Sequence, residues 1–168
     1  MPFALCLRID DVAERNVAEL WRKMAEENVS RDMLDLGYAP HVTLVVLDAA
    51  PDAASLALAR AKLKSLECVV GEARRFDDTD IVWLAVDGGE VLFSLHGQVA
   101  ECFPETSIRQ HYRAGAWTPH LTMHTSGAGD RVLKWVHDAW YGPQTARFMA
   151  AEFVEFPPVR VLLRDHLN

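Results

Sequence analysis

Tyr38-Ala39-Pro40-His41-Val42-Thr43-Leu44 is matched further along the chain by Trp117-Thr118-Pro119-His120-Leu121-Thr122-Met123. Each copy has an aromatic residue three positions before the His and an aliphatic one after the Thr. The offset, 120 − 41 = 79, is close to half of the 168 residues. A repeat on this scale decides the architecture before any single element does.

The same offset aligns the flanking segments. Phe3 to Leu7 is a short apolar run that reads as a buried strand, and Val82 to Val86 is its counterpart. Asp10 and Asp11 sit where a helix cap belongs, ahead of Val17, Leu20, Trp21 and Met24 at helical spacing. The matching helix begins near Gly89 and is expected to bury Val91, Leu92, Leu95, Val99 and Cys102. After each His-x-Thr strand comes a second helix. Leu56, Ala59, Leu63 and Leu66 mark the first; Val132, Leu133, Trp135, Val136 and Trp140 mark the second, which stops at Gly142-Pro143. Val69 to Phe76 and Phe148 to Glu155 close the halves as strands, with Asp77, Asp78 and Asp80 in the turn between them. The tail, Val159 to Leu163, has no first-half partner and is expected to add an edge or closing strand. The spacing therefore predicts one α+β domain over residues 1–168. It consists of pseudo-twofold β-α-β-α-β halves (about 1–79 and 80–168), with two sheets around a central groove and helices outside.

Composition bounds the function. The chain is 50% hydrophobic, enough for a core, and its formal net charge of −7 argues against duplex DNA or other long nucleic acid held by a basic face. Cys6, Cys68 and Cys102 form no C-x-x-C pair, which points to a reducing, cytoplasmic setting. No segment approaches the roughly 18 apolar residues of a membrane span. A monomer acting on a small anionic substrate is the expectation.

Residues i and i+2 of a strand share a face. His41 and Thr43 thus face the groove, as do His120 and Thr122, while Val42 and Leu121 face the core. Two imidazoles on opposite walls can act as acid and base near neutral pH, and two hydroxyls can donate to phosphate oxygens. Such a cradle works on phosphorus without a metal or other cofactor.

Paired His-x-Thr-x motifs, here His41-Val42-Thr43-Leu44 and His120-Leu121-Thr122-Met123, resemble those of the 2H phosphoesterase superfamily, which includes the 2′-5′ RNA ligase-like proteins. The resemblance runs over essentially the whole chain. It implies metal-independent hydrolysis of 2′,3′-cyclic phosphates of nucleotides or RNA ends, with the first-half His as acid and the second-half His as base. Two alternatives stand beside it: 2′-5′ ligation or cleavage of RNA, and a non-catalytic nucleotide-binding module.

Further substrate contacts are expected from the basic, aromatic stretch Arg109-Gln110-His111-Tyr112-Arg113. Its guanidiniums could hold a phosphate and Tyr112 could stack on a base. Tyr38 and Trp117 could stack or pack beside the groove. His124 lies four residues after His120, but in a strand that spacing makes no metal pair; it extends the groove face instead. His96, His137 and His166 are expected on the surface.

Overall fold

The computed structural model describes all residues, Met1–Asn168. Its strands are β1 (Phe3–Ile9), β2 (His41–Leu47), β3 (Glu67–Arg75), β4 (Val82–Asp87), β5 (His120–His124), β6 (Gln144–Glu155) and β7 (Arg160–His166). Its helices are α1 (Asp11–Glu26), α2 (Asp32–Leu36), α3 (Ala53–Lys62), α4 (Gly89–Ala100) and α5 (Gly129–Ala139). Two short 3-10 turns, Glu105–Ser107 and Gln110–Tyr112, precede the second motif.

Local chemistry explains the elements that frame the groove. In α1, one Asp10 carboxylate oxygen accepts from the Val12 and Ala13 amides, Asp11 and Glu14 sit in the first turn and Lys23 in the last. Ala13, Val17, Leu20, Trp21 and Met24 form its buried stripe. The five-residue α2 is too short to carry such a periodicity, and no sequence pattern announces it. It ends because Gly37 takes the left-handed conformation (φ 66°), which turns the chain toward Tyr38.

All ladders are antiparallel, and the strands form one curled sheet in the order β2-β1-β6-β3-β4-β5, with β7 also on β6. The two expected sheets are thus continuous, because β6 is long enough to serve both. Its first part, from Gln144 to Arg147, pairs with β3, and its remainder, from Phe148 to Glu155, pairs with β1. β7 takes the edge of β6 beyond the point where β3 leaves it, and the Ser65 amide donates to the Asn168 carbonyl at the junction. The curl brings the end strands β2 and β5 together. The Trp117 indole N–H crosses that seam to the Thr43 carbonyl at 2.9 Å.

Helices cover the convex face: α1 against β1 and β6, α5 against β3 and β4, and α4 against β2. Two expectations fail on α4. Val91 is 51% exposed. His96, expected on the surface, is buried, stacked on Trp117 with centroids 4.1 Å apart and bonded through Nε2 to the Tyr112 carbonyl at 3.0 Å. Trp117 supplies the flat partner that a helical wheel cannot reveal. No helix is long and apolar enough to cross a membrane.

Candidate active site

His41 opens β2 and His120 opens β5, each directly after a proline. Val42 and Leu121 are fully buried, whereas the flanking His and Thr side chains are only half-buried. Each strand then bulges one residue past its Thr. Cys6 pairs with Thr43 but Leu5 with Val45, leaving Leu44 out of the ladder. Trp83 pairs with Thr122 but Val82 with His124, leaving Met123 out. The extra residue inverts the alternation beyond it. Val46 and Thr125 therefore join the groove with the motif residues.

His41, Thr43, His120 and Thr122 line one cavity of about 200 Å³. The two imidazoles are held alike. His41 Nδ1 donates to the Ala39 carbonyl at 2.8 Å, and His120 Nδ1 donates to the Thr118 carbonyl at 2.7 Å. A carbonyl oxygen only accepts, so Nδ1 carries the proton in both neutral rings and Nε2 is the nitrogen that titrates. Neither Nε2 has a hydrogen-bond partner within the chain. Thr122 makes no side-chain hydrogen bond, and Thr43 has only the Cys6 thiol at 3.7 Å, so both hydroxyls are free to donate.

Their surroundings differ. The Tyr38 ring lies 4.5 Å from that of His41, and behind it Arg8 and Glu152 form a buried ion pair. Phe76 and Trp83 pack against His120, at 5.1 and 5.9 Å, and stack on each other. Burial pushes the His41 imidazole down to about 4, with the charges of Arg8 and His120 adding to the effect and the Ala39 bond opposing it. Burial also lowers His120, again against a carbonyl bond. Burial raises the Cys6 thiol to about 12, which leaves it protonated and unreactive.

The other expected substrate contacts divide. Tyr38 and Tyr112 line the cavity. Arg109 lies outside it and pairs with Asp48 at 2.7 Å; Arg113 also lies outside and bonds the Ile108 carbonyl. Trp117 is buried between His96 and the seam, with its N–H already used. His124 does not extend the groove face, because the bulge at Met123 turns it inward. There Nδ1 meets the Ser30 hydroxyl at 2.8 Å and Nε2 meets the Gly127 carbonyl. No three His, Cys, Asp or Glu side chains cluster in a way that could hold a metal ion.

Phe76, Trp83, Arg8 and Glu152 are neighbours of the site that the sequence pattern did not point to. Trp83 had a usable signal, since pairing the second-half strands in register sets it opposite Thr122 as Cys6 is opposite Thr43. Glu152 lies 144 residues from Arg8, and no local pattern announces such a pair.

The fold is shared with solved structures of low sequence identity. Escherichia coli LigT complexed with 3′-AMP superposes with a TM-score of 0.63 at 14% identity, over 99% of each chain. The Thermus thermophilus protein TT0787 gives 0.64 at 14% identity, over 99% of this chain and 98% of that one. Kluyveromyces marxianus Usb1 gives 0.55 at 16% identity, over 96% and 97%. E. coli LigT is also known in complexes with NADP+ and with ATP. No curated protein sequence matches the chain. The model of the 2′-5′ RNA ligase superfamily matches residues 10–164, nearly the whole length. With that match, the shared fold and two His-x-Thr motifs meeting in one cavity, the chain belongs to the 2′-5′ RNA ligase superfamily of 2H phosphoesterases.

Proposed function

We propose that the protein is a metal-independent phosphodiesterase that opens 2′,3′-cyclic phosphates of nucleotides or short RNA ends. One observation carries this reading: two imidazoles, each with Nδ1 tied to a carbonyl, offer Nε2 to the same small cavity as two free Thr hydroxyls. One Nε2 takes a proton from water as the water oxygen forms a new bond to phosphorus. The other, protonated at the start, delivers its proton to the departing ribose oxygen as the old P–O bond breaks. One P–O bond is made and one is broken, and the imidazoles exchange protonation states. Thr43 and Thr122 donate to the nonbridging oxygens.

The cavity lining contains no Lys or Arg. A singly charged cyclic diester needs only the one protonated imidazole as counter-charge, whereas a doubly charged monoester product is less well compensated and leaves readily. The small cavity and the net charge of −7 favour a nucleotide-sized substrate over long RNA. The nucleotide complexes of LigT are consistent with that size. The same reading takes the chain as two related halves. It is supported by bulges at matching places and by the exchange of third strands, β3 onto β4 and β6 onto β1.

The test is turnover of 2′,3′-cyclic nucleotides, with product isomers resolved by chromatography, with and without chelator. His41→Ala and His120→Ala should each cost about 10²–10⁴-fold in kcat with circular dichroism unchanged. Full activity in either variant, or loss of wild-type activity on chelation, would exclude this chemistry.

A further inference from the structure

We infer that Tyr38, Glu152 and Arg8 form a positioning device for His41, which holds its imidazole in one orientation and one tautomer and has no equivalent at His120. The inference rests on the reading of His41 as an acid–base residue.

Arg8 and Glu152 are 8% and 2% exposed. Burying two charges carries a desolvation penalty that their attraction need not recover, and an apolar pair of similar volume often serves stability as well or better. What the pair does here is visible in its other bonds. Arg8 Nη1 donates to both Glu152 oxygens, at 3.2 and 3.1 Å, and Nη2 donates to Glu14 at 2.5 Å. The third guanidinium nitrogen of Arg8, Nε, donates to the Pro40 carbonyl at 3.2 Å. Glu152 accepts the Tyr38 hydroxyl at 2.6 Å and Arg164 at 3.0 Å. Tyr38 and Pro40 are thus each anchored, and Ala39 between them presents the carbonyl that takes the His41 Nδ1 proton. The Tyr38 ring then closes on the imidazole at 4.5 Å. The three residues before His41 form a clamp, and its anchor is the buried ion pair.

The second site keeps the carbonyl, Thr118 on the His120 Nδ1, but lacks the anchor. In the ladder Arg8 stands opposite His41, but Ala85 stands opposite His120. Trp117, which occupies the place of Tyr38, sends its N–H away to the Thr43 carbonyl. His120 is packed by Phe76 and Trp83 and has no buried ion pair behind it. The charged and titratable groups around His41 are Arg8, Glu152, Tyr38, Cys6 and His120. The clamp therefore makes two histidines that look alike in sequence unequal in rigidity and surroundings.

Tyr38→Phe keeps the ring and removes the hydroxyl; Arg8→Lys keeps the charge and removes the fork. Imidazole ¹⁵N NMR of the full-length protein reads the tautomer of each histidine directly, and steady-state kinetics on a 2′,3′-cyclic nucleotide reads the consequence. Both variants should melt cooperatively. In each, the His41 nitrogens should shift toward a mixed tautomer while those of His120 stay fixed, and kcat should fall about tenfold or more with KM nearly unchanged. Unchanged His41 signals in Tyr38→Phe would overturn the inference. So would equal movement of both histidines, which marks general loosening. A wild-type protein with no cyclic-phosphate turnover refutes the functional reading alone, since the NMR comparison still decides whether the clamp acts on His41.

Discussion

Acid should destabilise this protein through one histidine in particular. An ordinary imidazole takes its proton at 6.5, whereas His41 takes it at about 4 in the folded chain. At 1.36 kcal/mol for each tenfold change, that gap is worth about 3 kcal/mol, and the groove-facing side of the ring reduces it to about 2 kcal/mol. The folded affinity for protons is the lower one, so the unfolded chain binds the proton first as pH falls. The contribution is complete above about pH 6.5 and is lost progressively toward pH 4. His41→Asn isolates it, because an Asn amide N–H can still reach the Ala39 carbonyl but carries no titrating charge. Urea unfolding at pH 7 and pH 4, followed by circular dichroism, should show a wild-type loss exceeding that of the variant by about 2 kcal/mol. His96 is also lowered by burial but is present in both proteins and cancels in the comparison, while the repulsion between His41 and His120 is part of the difference being read. An equal loss in the two proteins would refute the claim that the folded environment of His41 resists charge.

Other perturbations probe the frame. Leu121→Ala empties a fully buried position between His120 and Thr122 and should cost about 2–5 kcal/mol in thermal or urea unfolding. Asp10→Ala removes the acceptor of the Val12 and Ala13 amides and of the Arg147 amide at 2.8 Å; a loss of about 1–2 kcal/mol is expected by urea unfolding. Asp32→Ala frees the Thr125 amide and hydroxyl and the Ser126 amide from one carboxylate, and hydrogen exchange at Thr125 and Ser126 should accelerate. Trp117→Phe keeps most of the packing on His96 but removes the bond to the Thr43 carbonyl, with an expected cost of about 1 kcal/mol by thermal unfolding.

Much of this arrangement is legible in the sequence because it depends on short-range rules. The alternation of His41, Val42 and Thr43 foretells which side chains face the groove and which the core, and the Val17, Leu20, Trp21 and Met24 stripe foretells the buried face of α1. What stays hidden depends on register or on distant partners. Simple alternation assigns His124 to the groove, and a bulge at Met123, invisible without the β4 partner, turns it away. The basic loop looks like an anion site until Asp48, 61 residues earlier, takes Arg109. The apolar pattern starts β6 only at Phe148, and the residues before it, Gln144 to Arg147, are the ones that join the sheet into one.

That shared strand has a consequence for how the chain can be divided. A cut in the turn between β3 and β4 interrupts no strand, yet β3 finds both of its partners, β4 and β6, on the far fragment. β1 likewise loses β6. Each piece would carry an open edge whose complement sits on the other. The two are therefore matched for reassembly as a split protein, and the groove exists only when both are present.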